Sequence, residues 1–204
     1  MQRLLLEHGA HDEISDLKQL ETLIDDHEFA AVENFLQRNP TLVRNAMAFW
    51  GEGILASPAN RGSREMIELL MRYGARVPEV SKWGPQYYFK HTEIATLLLE
   101  RGMNPNHKNW QHFSLLHYFA ADGHLERVRL LLDHGAEVDP IDEEYQSTPL
   151  GCAARWGQQE TAALLLERGA DPNRAGATWA TPLAWARKKG HSRIESDLRR
   201  AGAR

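Results

Sequence analysis

Cysteine is almost absent from this sequence, since Cys152 is the only one among 204 residues. A single thiol forms no intramolecular disulfide and no cysteine metal cluster, which fits a reducing compartment. The sequence has no hydrophobic run of transmembrane length, and residues 1–10 contain no signal-peptide core. We therefore expect a cytoplasmic protein that has no membrane partner.

An excess of basic residues is also missing, because 24 Lys and Arg stand against 28 Asp and Glu, for a formal net charge of −4. This balance creates no positive field that would attract nucleic acid or an anionic membrane surface. Hydrophobic residues make up 42% of the chain and charged residues 25%, which is the balance of a folded protein. We expect no nucleic-acid partner.

Strong catalytic and metal-binding motifs are lacking too: there is no phosphate-binding glycine loop, no Gly-x-Ser-x-Gly turn and no His-Glu-x-x-His helix. His107, His112 and His117 are five residues apart, whereas two ligands on one helix face need a separation of three or four. We interpret Cys152 as a buried, unreactive thiol. The sequence thus predicts no catalytic residue, no metal site and no cofactor.

What the sequence does contain is a repeat, a Leu-Leu-x-x-x-Gly pattern that recurs along the chain. The glycines that end the last four copies are 33, 34 and 33 residues apart, at Gly102, Gly135, Gly169 and Gly202. A second glycine lies 12 residues before each of the last three, at Gly123, Gly157 and Gly190. Two glycines per period predict two helices per copy. Neither helix can bury its apolar stripe alone, so we expect neighbouring copies to stack.

The segments Thr148-Pro-Leu-Gly-Cys-Ala-Ala154 and Ser114-Leu-Leu-His117 resemble the Thr-Pro-Leu-His-x-Ala signature of the ankyrin-repeat family, and the period matches too. The resemblance covers residues 81–203 and 53–74, while residues 17–39 have helix-pair periodicity without the signature glycines. It implies an all-α ankyrin-repeat solenoid of stacked helix-turn-helix units with loop or β-turn fingers. We expect about five to six repeats, the first ones irregular.

The chain is predicted to be one domain over residues 1–204. Degenerate or truncated repeats occupy 1–52, and further repeats occupy 53–80, 81–113, 114–147, 148–180 and 181–204. Helices are predicted at 14–25, 28–38, 53–60, 64–73, 84–90, 92–101, 115–121, 125–134, 149–156, 159–168, 182–189 and 192–201. Irregularity is expected near Pro58, which lies inside a predicted helix, and between Gly74 and Gly102, which are only 28 residues apart.

In the ankyrin family, the loops and first helices line a concave groove. The resemblance therefore implies a non-enzymatic module that binds another protein or peptide through that face. The predicted partner-binding residues are Trp110, Gln111, Phe113, Asp122, Glu144, Tyr145, Arg155, Trp156, Trp179, Lys188 and Lys189. Many of them are Trp, Tyr and Arg, the residue types that most often dominate binding energy. Tyr118 and Trp185 share the repeat position of Cys152 and are assigned to the core.

Two other hypotheses stay open. The groove around residues 110–117 and 145–156 could bind a small molecule or catalyse hydrolysis, which would require a deep pocket joining His112 or Asp122 to a buried nucleophile. Alternatively, the chain could be a structural fragment of a longer repeat protein, because residues 1–10 resemble the end of a copy whose beginning is absent. The exposed aromatic residues could also pack between neighbouring loops instead of binding a partner. The sequence does not define the oligomeric state.

Overall fold

The computed structural model describes residues 10–44, 52–81, 85–109 and 112–204, and the structural statements below concern these residues. The chain divides into two compact units, Met1–Met103 (unit 1) and Asn104–Arg204 (unit 2). Both units are built from paired helices, which confirms the predicted all-α fold class. The single-domain assignment and the repeat boundaries stay predictions.

Unit 1 contains five α-helices in its described part: α1 (Ala10–Asp25), α2 (Phe29–Arg38), α3 (Ala56–Arg61), α4 (Arg64–Arg72) and α5 (Thr92–Glu100). It also contains two 3₁₀ helices, Leu42–Arg44 and Pro85–Phe89, and the short strand β1 (Val80–Ser81). The core is formed by the apolar faces of these helices, including Leu20, Val32, Ile67 and Leu98, which are fully or almost fully buried. Residues 1–10, which resemble the end of a copy, lie outside the described residues except for Ala10.

The irregularity expected in unit 1 is present. A five-residue 3₁₀ helix, Pro85–Phe89, replaces the α-helix predicted at 84–90, since the 28-residue spacing leaves too little chain for a full first helix. Pro58 is accommodated as the third residue of α3, where an amide N–H has no partner within the helix. The helix is therefore short but unbroken at Pro58.

Unit 2 contains three helix pairs within its described part. They are α6 (Leu115–Asp122) with α7 (Leu125–Asp133), α8 (Pro149–Trp156) with α9 (Gln159–Glu167), and α10 (Pro182–Lys189) with α11 (Ser192–Arg200). A two-residue strand β2 (Lys108–Asn109) precedes the first pair, and a 3₁₀ turn (Thr178–Ala180) precedes the last. The first helices pack against each other, as α8 contacts both α6 and α10, and α9 likewise contacts α7 and α11.

Each first helix of unit 2 begins and ends with the residues that its sequence predicts. The side chains of Thr148 and Thr181 accept hydrogen bonds from backbone amides at 3.2 Å, and Ser114 caps α6 in the same way. Each helix ends at a left-handed glycine, such as Gly157 with φ +77°. A Cβ atom at Gly157 would lie 2.7 Å from the ring of His191, so glycine is needed for space as well as for conformation.

Side chains also link neighbouring loops of unit 2. Asn106 Oδ1 accepts a hydrogen bond from the Glu137 amide at 2.8 Å, and Asn173 Oδ1 accepts from the Arg204 amide at 3.0 Å. These bonds span 31 residues each, which is close to one repeat. They hold successive loops in a fixed spacing, so the surface that the loops form is ordered by the fold. No helix of the described residues is both long and apolar enough to cross a bilayer.

Candidate functional site

An open groove of about 440 Å³ lies on unit 2, between the loops and the ends of the first helices. The described residues that line it are Asn109, Phe113, Tyr118, Ala121, Asp122, Glu144, Tyr145, Trp156 and Gln158. The groove thus combines four aromatic rings with two carboxylates. It brings together five of the predicted binding residues, namely Phe113, Asp122, Glu144, Tyr145 and Trp156.

The aromatic rings of the groove differ in exposure. Phe113 and Tyr145 meet edge to face with their centroids 6.4 Å apart, and both are partly buried. Trp156 ends α8 and is 55% exposed, so most of its indole is covered by no other part of the described structure. The groove therefore has a packed aromatic wall and one accessible indole surface.

Both carboxylates of the groove accept a hydrogen bond from a tyrosine. Burial raises the pKa of Tyr118, and Asp122, four residues later, raises it further as a negative charge and as the acceptor of the Tyr118 hydroxyl. The hydrogen bond from Tyr145 to Glu144 is the main cause of the raised pKa of Tyr145. Both phenols are therefore neutral donors, while Asp122 and Glu144 remain exposed to solvent.

A second feature, the Arg155 cluster, adjoins the groove at Tyr145. The Arg155 guanidinium carbon lies 4.2 Å from the centroid of the Tyr145 ring and 4.3 Å from that of the Trp185 ring. The Lys188 ammonium lies 5.1 Å from the same Trp185 ring, and Trp179 packs edge to face on it at 5.9 Å. Three predicted binding residues, Arg155, Trp179 and Lys188, thus meet around Trp185, which was assigned to the core and is 4% exposed.

The loop that carries Glu144 and Tyr145 is fixed by buried hydrogen bonds. Asp142 accepts from the Tyr145 amide at 2.6 Å and from the Ser147 amide at 3.1 Å. His117 Nε2 donates to the Ser147 carbonyl at 3.2 Å, and its Nδ1 accepts from Ser114 Oγ at 2.7 Å. Burial lowers the pKa of His117 to about 4, which keeps the ring neutral and suits this arrangement.

Comparison with known proteins identifies the repeat. Residues 86–175 match the family model of ankyrin repeats (3 copies). The chain is an ankyrin-repeat protein. His117 occupies the histidine position of the family signature, and its hydrogen bond to the Ser147 carbonyl ties the first helix to the next loop.

Ankyrin-repeat regions of much larger proteins are similar to this chain. Ankyrin repeat and KH domain-containing protein mask-1 of Caenorhabditis elegans is 32% identical over 146 residues, which are 66% of this chain and 5% of that protein. Palmitoyltransferase ZDHHC13 of Mus musculus is 37% identical over 75 residues, 37% of this chain and 12% of that protein. ARF GTPase-activating protein GIT1 of Homo sapiens is 37% identical over 83 residues, which are 41% of this chain and 11% of that protein. The chain spans a small part of each relative.

Ankyrin repeats are generally protein-interaction modules, which agrees with a surface of aromatic and charged residues. Two predicted binding residues, Trp110 and Gln111, lie outside the described residues. Lys189 is exposed at the end of α10, next to Lys188, and takes part in neither the groove lining nor the contacts of the Arg155 cluster. For all eleven residues predicted to bind a partner, that role stays a prediction.

The structure corrects one core assignment. Tyr118 is only partly buried and lines the groove, although it shares the repeat position of the buried residues Cys152 and Trp185. Three further described residues that were not predicted as binding residues also line the groove, namely Asn109, Ala121 and Gln158. Of the groove residues not predicted, only Tyr118 could have been predicted from the sequence. It lies four positions before the predicted binding residue Asp122, and residues four apart on a helix share a face.

Chemically reactive side chains do not converge on the groove. Burial raises the pKa of the Cys152 thiol, which lies in the core. His112 pairs instead with Glu143, with 2.7 Å between Nδ1 and Oε1, and His107 is buried. Within the part of the chain that the structure describes, no group of three or more His, Cys, Asp or Glu could hold a metal ion.

Proposed function

We propose that the chain is a non-enzymatic interaction module that binds a partner protein through the groove of unit 2. The observation that carries this proposal is the position of Trp156, whose indole is 55% exposed in a groove lined by three further aromatic rings. Tryptophan and tyrosine in a partly enclosed surface are the residues that most often dominate the free energy of protein binding. A partner side chain that covers Trp156 would remove this apolar surface from water.

The order of the groove before binding supports the same function. Tyr145 is fixed by its amide hydrogen bond to Asp142 at 2.6 Å, and the loop behind it is tied by His117 to the Ser147 carbonyl. Little conformational entropy is lost on binding when the binding surface is already ordered. More of the contact energy is then available for affinity.

Binding is favoured over catalysis by the composition of the groove. Its volume of about 440 Å³ suits a small ligand as well as a peptide side chain. However, the described residues that line it include no histidine, cysteine or serine, and the Cys152 thiol is buried elsewhere. Asp122 is present in the groove, but the described lining residues do not include the buried nucleophile that the hydrolytic hypothesis requires. We place the module in the cytoplasm because a single cysteine fits a reducing compartment.

The proposal is tested by affinity capture from a lysate of the cells that produce the protein, with the native chain and the Trp156→Ala variant as baits. The matched control is Arg129→Ala, which changes an exposed side chain on the second helix α7. We expect a protein captured by the native chain and the control to be lost with Trp156→Ala, while circular dichroism shows all three folded. Equal capture by all three baits would contradict binding through the groove.

A further inference from the structure

Arg155 holds a positive charge that the described structure does not neutralise. Its guanidinium lies against the Tyr145 and Trp185 rings at 4.2 and 4.3 Å, and its Nε is buried without a hydrogen-bond acceptor. None of the ion pairs among the described residues of unit 2 includes it. The guanidinium thus has ring contacts but no carboxylate partner in the described part of the chain, and because its Nε is buried, its terminal N–H groups are the donors that a partner can reach.

Two lysines of α10 are also without a carboxylate partner among the described residues. Lys188 and Lys189 are exposed in the last turn of α10, and the Lys188 ammonium lies over the same Trp185 ring as Arg155. In contrast, Arg187 on the same helix pairs with Glu195 at 3.0 Å. Two cations that are unpaired within the described structure, Arg155 and Lys188, therefore lie at the Arg155 cluster, which adjoins the groove at Tyr145.

We propose that the acceptor for Arg155 is the carboxylate of an acidic residue in the partner segment that occupies the groove. Ring contacts cover the faces of a guanidinium, whereas its N–H groups lie in its plane and can donate to both oxygens of a carboxylate. Lys188, over the same Trp185 ring, adds attraction for this carboxylate, and the neighbouring Lys189 adds positive charge to the same helix end. A large apolar residue beside the acidic one would cover Trp156. This inference rests on the proposed function, since it specifies the partner of the same groove.

The charges of the groove favour binding of a protein segment over binding of a nucleic acid. Asp122 and Glu144 are exposed in the groove that adjoins the Arg155 cluster, and they would repel successive phosphates of a nucleic acid. The net charge of −4 adds to this repulsion. A short segment with one acidic residue followed by an apolar residue presents negative charge only at Arg155.

The test is a selection of random dodecapeptides displayed on phage against the native chain, the Trp156→Ala variant and the Lys188→Gln/Lys189→Gln double variant. A matched control, Arg129→Gln/Arg193→Gln, removes the same charge from exposed positions on second helices. We expect peptides that need Trp156 to be enriched in Asp or Glu next to a large apolar residue. This enrichment should persist with the control variant and weaken with the lysine variant.

The best peptide is then measured by fluorescence anisotropy against the native chain and Arg155→Gln. Replacing the peptide's acidic residue by its amide should weaken binding to the native chain about tenfold, as expected for loss of a charge-assisted hydrogen bond. The same replacement should have little effect on binding to Arg155→Gln. Because Arg155→Gln also changes the contacts of Tyr145 and Trp185, the lysine variant provides an independent measurement of the charge effect.

Three outcomes would overturn the inference. Peptides that need Trp156 but show no acidic preference would leave the interaction function standing and refute the acidic partner. A selection without any peptide that depends on Trp156 would contradict both. Finally, tighter binding of a single-stranded 12-nucleotide DNA than of any selected peptide, lost in the lysine variant, would assign the cations to nucleic acid instead.

Discussion

The two units both contain helix pairs, but the hydrogen bonds at the ends of their first helices differ. In unit 2, a hydroxyl side chain caps each first helix and a left-handed glycine ends it, as at Thr148 and Gly157. In unit 1, α3 begins at Ala56, and the preceding residue, Leu55, provides no side-chain cap. Its Ser57 donates instead to Asp25 of α1 at 2.5 Å, and Tyr88 donates to the Glu52 carbonyl.

This difference shows what the repeat signature provides. Local caps form within each copy and need no particular neighbour, so the copies of unit 2 can present varied side chains at their loops. Both units also have bonds between residues 30 or more positions apart, but α3 of unit 1 has such a bond, from Ser57 to Asp25, and no side-chain cap. We infer that the regular copies are the ones free to vary their surface for binding.

The largest predicted effect is a loss of stability in unit 2 at acidic pH, caused by His117. Its folded-state pKa is about 4 because the ring is buried, while an unfolded histidine has a pKa near 6.5. As pH falls from about 6.5 to about 4, the unfolded state gains a proton that the folded state does not, so stability decreases by up to about 3 kcal/mol. The charges facing the ring are Asp142, which raises its pKa, and Lys108, which lowers it.

Hydrogen exchange followed by mass spectrometry measures this effect separately for the peptides of each unit between pH 4 and 7, after correction for the intrinsic exchange rate. The opening free energy of unit 2 should decrease as the pH is lowered. This dependence on pH should be weaker in His117→Gln, whose side chain cannot titrate. An unchanged pH dependence in that variant would refute His117 as the cause of the acid sensitivity.

The sequence predicts the structure of unit 2 better than that of unit 1, for physical reasons. The helix bounds of unit 2 follow from Thr148, Thr181 and the regular glycines, because caps act within a few residues. A 28-residue spacing predicts only that some element between Gly74 and Gly102 is shortened, and not that it is a 3₁₀ helix. The contact of Arg155 with Trp185 joins two copies and depends on side-chain packing, which repeat position alone does not determine.

A smaller effect is predicted for Tyr88→Phe in unit 1. The ring stays in the core, but the Glu52 carbonyl loses the hydroxyl donor that Tyr88 supplies in a buried site. Loss of such a buried bond lowers the free energy of unfolding by about 1–3 kcal/mol. The neighbouring Tyr87→Phe is the control, since Tyr87 is 37% exposed. Urea unfolding monitored by circular dichroism should separate the two variants, and equal midpoints would refute this role of the hydroxyl.

The smallest predicted effect is that of Thr148→Val, which removes the cap of α8 while keeping the shape of the side chain. The Gly151 amide, 3.2 Å from the Thr148 hydroxyl, would lose its acceptor, and unit 2 would lose about 1 kcal/mol. Thr96→Val is the control, because the Thr96 hydroxyl bonds to the Thr92 carbonyl within α5 and caps no helix. If both variants lost the same stability in urea unfolding, the caps would not distinguish unit 2 from unit 1. A loss confined to Thr148→Val would show that each regular copy carries its own stabilising contact, which leaves its loop residues available for binding.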